Sequence, residues 1–447
     1  MIDMTTGTWV ILILSVLVGH VMLFILARYF NIVVMLGTTF MILAFLGFAS
    51  ARGDVTPIRL ARIYCGVVAI LLGLRALHLP EIRAAGLLYF IFIVFYVLSS
   101  LWSQAPVDAL ARKGVYAMPM VLGLFLAYAI RDRHDFEGAI RILTIPGILF
   151  AALFFAHLAS GSSDQRLSVI GTNPNMAGAL CASMLILCTY GALYGSSKPW
   201  RVIAYITGTL LAMAILYTGS RGAAGYAIIG CSALILPLVR RPLAVAVLAI
   251  AVLGTGWFVQ SKLETKSTER MTELSLTGRD SLWVNGLSHV KESPLFGVGW
   301  VPTAKASTGI KGSRNWHSMW VQTAVDTGIV GVMFLLFALF VASLYALRSW
   351  RMLIATESDL VPLFLAGALF AGALAHGLVE SEALVGSAIP SLILPFSIVL
   401  LERLPIILQA ESPWGEVLTE ESFEDEEAYA DYDGGPEAAG EYAEGAY

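Results

Sequence analysis

Long apolar runs recur along the chain, separated by short polar connections. Most runs are about 20 residues long, the length that an α-helix needs to cross the roughly 30 Å hydrocarbon core of a bilayer. They lack the apolar–polar alternation of barrel strands, so they predict membrane-spanning helices. The predicted spans are 8–28, 31–50, 60–79, 84–101, 114–130, 139–159, 175–194, 202–218, 223–239, 243–260, 317–346, 361–380 and 386–402.

The fold class predicted from these runs is an all-α integral membrane protein with about 12 or 13 transmembrane helices. The lower count applies if 31–50 or 60–79 is a half-span or a surface helix. One long polar loop, 261–316, interrupts the apolar pattern. Its segments 262–274 and 279–291 are predicted to form short helices, the second with an apolar face suited to a membrane surface.

Composition and charge support a membrane protein with an acidic tail. The chain is 57% hydrophobic and 13% charged, whereas soluble domains carry about 25% charged residues. The net charge is −4, but residues 411–447 hold thirteen acidic and no basic groups, leaving 28 basic against 19 acidic groups elsewhere. That balance suits anionic lipids and not nucleic acid. We therefore expect a membrane domain over 1–410 and a disordered cytoplasmic tail over 411–447.

Basic residues in short loops predict the orientation, because such loops remain in the cytoplasm. Four basic loops fit one arrangement of every span from 139 onward; they contain Arg131, Arg133 and Arg141, Lys198 and Arg201, Arg240 and Arg241, and Arg348 and Arg351. Segments 160–174, 219–222 and 261–316 then lie on the outer side. Arg52, Arg59 and Arg62 break the rule, so the first 80 residues are not oriented by it.

Two arginines on the predicted outer side stand at helix starts. Arg221 follows a Gly-Ser pair, and Arg279 follows a glycine at the start of the second loop helix. Helix N-termini attract anions, and a guanidinium group binds phosphate oxygens in pairs. Taken singly, Arg221 also fits an interfacial snorkelling residue and Arg279 a partner of Asp280. Taken together they predict an anion-binding site.

His317 begins an apolar run directly after the long loop. Partial burial at this border favours an uncharged imidazole, which can accept a proton, so His317 is the candidate general base. Arg166, in the outer segment 160–174, is a further candidate for contact with a sugar or phosphate. His376 and Glu380 sit one turn apart in a later span and are interpreted as a pair with no functional role.

Several motifs together resemble the O-antigen ligase and O-antigen polymerase superfamily. His317-Ser318 is followed, after nine residues, by Gly328 and Gly331, which resembles the ligase pattern, with Ser318 in place of the commoner Asn. The resemblance covers about 95–350. The other matching segments are Leu98–Ser103, Asn173–Asn175, Ser220-Arg221, Gly278–Trp283 and Pro294–Trp300.

The resemblance implies a GT-C-like, inverting glycosyltransferase of the bacterial inner membrane, acting on the periplasmic face without cofactor or metal. Its donor would be an undecaprenyl-pyrophosphate-linked glycan. His317 would be the catalytic base, and Arg221, Arg279 and Arg166 would bind substrate. A pyrophosphate is already an activated leaving group, so charge stabilisation and one base would suffice.

Three functions remain open at this point. A polymerase would use a second lipid-linked repeat as acceptor, and a ligase would use lipid A–core. The motifs do not separate the two, and the unusual chain ends slightly favour a polymerase. A transporter or flippase is a remote alternative, because such proteins usually carry charged groups in mid-span and internal repeats, which the sequence does not suggest.

Overall fold

The computed structural model describes most of the predicted spans from residue 83 onward. The described residues are 31–39, 67–68, 71, 83–159, 173–235, 279–301, 316–355, 359–381 and 388–409. Within these ranges the chain forms helices and connecting turns, with no β-strand. The predictions for spans 8–28 and 243–260, helix 262–274, Arg166 and the tail 411–447 lie outside the described residues, as does most of 31–50 and 60–79.

The helices from residue 83 onward follow the apolar runs closely. They are α1 (Ala84–Leu98), a 3-10 helix (Ser99–Trp102), α2 (Pro106–Ala129), α3 (Arg133–Ala159), α4 (Pro174–Tyr194), α5 (Lys198–Thr218), α6 (Arg221–Ile235), α7 (Arg279–Glu292), α8 (Met319–Ala355), α9 (Val361–Val379) and α10 (Ala388–Gln409).

Eight of the described helices are long and apolar enough to cross a membrane, and α6 is a shorter apolar helix. This confirms the predicted all-α integral membrane protein. The two largest extensions beyond the predicted spans are in α2, which begins at Pro106 instead of 114, and in α8, which ends at Ala355 instead of 346. Each extension contains at least two charged residues, which lower its hydropathy, whereas the backbone hydrogen bonds of the helix continue.

The packing places α10 inside the bundle and α8 near its surface. In the apolar window of α10, 83% of the residues are buried, against 28% in the window of α8. Helix α10 packs on α2 and α9, and α9 packs in turn on α6 and α4. The starts of α4, α6 and α8 and the end of α9 lie at one end of the bundle. Asn175 and His317 both contact Glu380, and Gly222 lies beside it.

A kink in α8 receives the turn that follows α7. Gly328 has φ +63°, and the backbone N–H of Ile329 donates to the carbonyl of Pro294 at 2.9 Å. The N–H of Val298 donates to the carbonyl of Val325 at 2.8 Å. A Cβ on Gly328 would lie 2.4 Å from the Leu295 carbonyl oxygen, so both the positive φ and the close approach require glycine.

Candidate active site

The buried carboxylate of Glu380 is the centre of the candidate site. Glu380 follows the last residue of α9, and its side chain is fully buried. Its Oε1 accepts a hydrogen bond from Asn175 Nδ2 at 2.7 Å and forms an ion pair with Arg279. Its Oε2 lies 2.8 Å from Nδ1 of His317. One carboxylate therefore connects side chains from α4, α7 and the start of α8.

The contact with Glu380 decides which nitrogen of His317 carries hydrogen. A carboxylate can only accept, so Nδ1 of His317 must donate to Oε2 of Glu380. In the neutral imidazole Nε2 is then the atom with the lone pair. The His317 side chain is 22% exposed, so the ring is held by a buried partner while part of its surface remains accessible. This arrangement suits a proton acceptor.

The backbone at His317 is unusual. His317 has φ +49°, and among the described residues it is the only one other than glycine with a positive φ. Directly after it, the carbonyl of Ser318 accepts from the N–H of Gln322 at 2.9 Å, which starts the hydrogen-bond pattern of α8. A left-handed residue of this kind costs of order 1 kcal/mol or more, and such residues cluster at functional sites.

Helix α7 brings Arg279 to the site. Its 14 residues confirm the predicted loop helix almost to the residue. The residue of α7 that is buried is Gly286, where a Cβ would lie 2.7 Å from Val321 and 3.2 Å from the ring of Trp316. The helix therefore packs closely on α8 through this glycine. Arg279, at its first turn, is 16% exposed in its side chain and reaches Glu380.

Arg221 lies at the start of α6, beside the same carboxylate. Gly219 ends α5 in the left-handed conformation with φ +59°, and the N–H of Ala224 donates to the carbonyl of Ser220. The residue after Arg221 is Gly222, where a Cβ would lie 3.5 Å from Cγ of Glu380. The backbone at Arg221 is thus close to the Glu380 side chain, and its half-buried side chain belongs to the same end of the bundle.

Two residues of this site were not predicted as functional. Asn173 caps α4 through its side chain, close to the start of the predicted span at 175, and Asn175 donates to Glu380. Glu380 and His376 share a backbone hydrogen bond only; the His376 ring instead packs against Tyr226 at 5.5 Å. The available signal was Glu380 itself, because an ionisable residue at the end of an apolar span marks a functional position.

The site offers few ligands for a cation. His317 and Glu380 are near each other, but the positive charge of Arg279 lies on the same carboxylate. In the described part of the chain, the group with the spacing of metal ligands is Asp132, His134 and Asp135, at the opposite end of the bundle. Oδ1 of Asp132 accepts from the N–H of Asp135 and starts α3, so this group has a structural role.

Two comparisons with known proteins match part of this chain. A family model described as O-antigen ligase matches residues 206–336, a range that contains Arg221, Arg279 and His317. The chain is 26% identical over 284 residues to the "Exopolysaccharide production protein ExoQ" of Rhizobium meliloti (strain 1021). That match covers 58% of this chain and 65% of the relative, so somewhat less than two thirds of the relative's length is matched.

The fold and these matches together define the class of the protein. It is a multi-pass, all-α membrane protein whose polar residues converge at one end of the helix bundle. The matches support the O-antigen ligase/polymerase superfamily, which confirms the resemblance that the motifs indicated.

Proposed function

We propose that the protein is an inverting, metal-independent glycosyltransferase. It would move an oligosaccharide from undecaprenyl pyrophosphate to an acceptor hydroxyl, on the periplasmic face of the bacterial inner membrane. The observation that carries the proposal is the contact of Glu380 with both His317 and Arg279. It joins a proton acceptor to an anion-binding group, and these are the two functions that transfer from a pyrophosphate donor requires.

In the proposed reaction His317 acts as the general base. The acceptor hydroxyl gives its proton to Nε2 of His317, and its oxygen forms a bond with the anomeric carbon of the donor sugar. The bond from that carbon to the pyrophosphate oxygen breaks on the opposite side, which inverts the anomeric configuration. Glu380, on Nδ1, fixes the tautomer of His317 and stabilises the imidazolium that forms.

Arg279 and Arg221 would hold the departing pyrophosphate. The leaving group takes the electron pair of the broken bond, so negative charge increases on its oxygens during the reaction. A guanidinium carries five N–H donors, and Nη2 of Arg279 donates to Glu380. The start of α6 adds backbone N–H groups beside Arg221. Arg166 is proposed as a further contact to the sugar or phosphate of the glycan donor.

Within this class we propose a polymerase of surface-polysaccharide repeats, with a ligase as the alternative. The name of the matched relative refers to exopolysaccharide production, and the matched family is described as O-antigen ligase. A polymerase would use a second lipid-linked repeat as acceptor, whereas a ligase would use lipid A–core. The matched names thus support each alternative once, and the acceptor is the quantity to measure.

The decisive experiment offers both acceptors to purified protein in detergent, with an undecaprenyl-pyrophosphate-linked oligosaccharide as donor. A ladder of lipid-linked repeats would support the polymerase. Product on lipid A–core alone would overturn the polymerase and support the ligase. Since detergent contains no sealed compartment, turnover would also exclude a pure transporter. No product with either acceptor, from protein that binds the donor, would overturn the proposed activity.

A further inference from the structure

A second buried polar cluster lies at the same end of the bundle as Glu380. Lys113 Nζ is 2.6 Å from Oγ of Ser99 and 3.6 Å from Oδ2 of Asp326. Nε2 of Gln322 donates to the same carboxylate oxygen at 3.0 Å. The side chains of Lys113 and Asp326 are 1% and 2% exposed. The cluster thus places two opposite charges inside apolar helices.

Stability alone does not account for this cluster. A buried ion pair costs about as much in desolvation as it gains from attraction, so it is weak support for a stabilising role. Ionisable residues inside membrane-spanning helices are expected to have a function by default. The question is therefore which function the cluster has.

The size of the adjacent cavity argues against a sugar-binding site. Between the cluster and Trp300 lies a cavity of about 20 Å³. A single water needs at least about 10–15 Å³ on this measure, so the cavity has room for about one water molecule. A sugar ring does not fit without a rearrangement of the helices.

The cluster is connected to the backbone of the candidate base. Oε1 of Gln322 accepts from the backbone N–H of Trp316 at 3.3 Å. Trp316 directly precedes His317, whose φ is +49°. The ring of Trp316 contacts α7 at Gly286 and lies 5.8 Å from the ring of His289. Trp316 therefore joins the buried cluster, the strained backbone of His317 and the helix that carries Arg279.

We propose that Lys113, Asp326 and Gln322 are positioning residues that hold Trp316, and through it His317 and α7, in the arrangement needed for transfer. The ammonium group of Lys113 orients the carboxylate of Asp326, which fixes the amide of Gln322, whose oxygen then holds the Trp316 backbone. This inference rests on the proposed role of His317 as the base. It adds a reason for the buried charges, because a misplacement of about 1 Å at a reacting group can lower a rate about 100-fold.

Gln322→Met tests the proposal with little change in volume. We expect kcat to fall at least about tenfold, while KM for the donor stays within about twofold. The matched control is Thr323→Val, one residue further along α8. Thr323 is also fully buried and hydrogen-bonds only within its own helix, to the carbonyl of Met319. That variant should retain kcat within about twofold. A rise in KM with kcat unchanged would indicate substrate binding and overturn the positioning role.

A measurement that does not depend on activity completes the test. Protein labelled with 5-fluorotryptophan gives a fluorine resonance for Trp316, assigned by its loss in Trp316→Phe. The resonance should shift or broaden in Gln322→Met and stay unchanged in Thr323→Val. An unchanged resonance in Gln322→Met, or a shifted one with normal kcat, would overturn the proposal. Gln322→Asn, too short to reach both partners, replaces the Met variant if the latter does not fold.

The two readouts separate this proposal from the proposed function. If wild-type protein transfers no glycan to any acceptor, the proposed function fails, but the fluorine spectra still decide whether Gln322 holds Trp316. If the wild type is active and Gln322→Met matches it in kcat and in its fluorine spectrum, the proposed function stands and the positioning network is wrong.

Discussion

Within the part of the chain that the structure describes, two glutamates are buried, one at each end of the helix bundle, and their partners differ in kind. Glu402, near the end of α10, accepts from the backbone N–H groups of Arg83 and Gly86 at 3.1 and 3.0 Å and from the hydroxyl of Tyr128 at 3.1 Å. Glu380 instead contacts the side chains of Arg279, His317 and Asn175. Both glutamates are fully buried.

The difference separates a structural carboxylate from a candidate catalytic one. Two of the partners of Glu402 are backbone groups at the start of α1, which would lack hydrogen-bond partners without it. Its contacts therefore complete a helix terminus. Two partners of Glu380 are side chains that can exchange protons or bind anions, and they come from elements far apart in the chain. Burial alone does not distinguish these roles, whereas the chemistry of the partners does.

The largest effect is expected at the partner of Glu380 that carries the proposed proton transfer. His317→Ala should leave folding intact and lower kcat about 10²–10⁴-fold, the usual range for a positioned acid–base group. His134→Ala, an exposed residue at the opposite end of the bundle, is the control and should change kcat less than twofold. Near-normal turnover in His317→Ala would remove His317 from the mechanism.

The two glutamates can be compared directly by the same substitution. In Glu380→Gln the amide –NH₂ would face Nδ1 of His317 and favour the tautomer with hydrogen on Nε2. In that tautomer Nε2 cannot take the proton of the acceptor hydroxyl. We expect kcat to fall about 10²–10³-fold. In Glu402→Gln the amide –NH₂ must face backbone or hydroxyl donors, which should cost about 1–3 kcal/mol of stability and leave kcat of the folded protein within about twofold.

Thermal unfolding and transfer assays on both variants measure this contrast. The comparison breaks if Glu402→Gln loses turnover without losing stability, because Glu402 would then act in the reaction. It also breaks if Glu380→Gln has a lower melting temperature and normal kcat, since Glu380 would then be structural.

A smaller effect is expected from changing the shape of the cations and not their charge. Arg279→Lys and Arg221→Lys should each lower kcat/KM about tenfold, because Lys keeps the charge but loses the planar pair of donors. The corresponding Ala variants should lose more. Arg141→Lys, an exposed residue that pairs with Glu137 at the other end of the bundle, is the control. Full activity in both Lys variants would contradict paired binding of pyrophosphate oxygens.

Hydropathy predicts the helices well but misplaces charged residues at their ends. The predicted span began at 114 and so left Lys113 outside, whereas α2 begins at Pro106 and buries Lys113. Asp326 lies inside the predicted span 317–346, yet its partner could not be seen because it comes from another helix. Pairing of residues that are far apart in sequence depends on packing, which the apolar pattern does not contain.

The candidate site was predictable in part. Arg279 and His317 each stand at a polar–apolar border, and the structure brings both to one carboxylate. Glu380 was interpreted as a partner of His376, since a spacing of four residues favours contact within a helix. The structure shows that Glu380 lies after the last turn of α9, where its side chain turns to neighbouring helices instead.

The smallest effect is expected from the most acidic segment of the chain. Residues 411–447 hold thirteen acidic groups. The comparison of Glu380 with Glu402 indicates that the role of a carboxylate depends on its partners, so the number of acidic groups does not by itself predict a role in transfer. The orientation of the basic loops also predicts that this tail and His317 lie on opposite faces of the membrane.

A chain ending at Ala410 keeps every described helix and should retain kcat within about twofold in detergent. Loss of transfer by stable, truncated protein would show that the tail takes part in turnover. Protease digestion of the tail from the outer side of intact cells would contradict the orientation and, with it, the proposed side of the reaction.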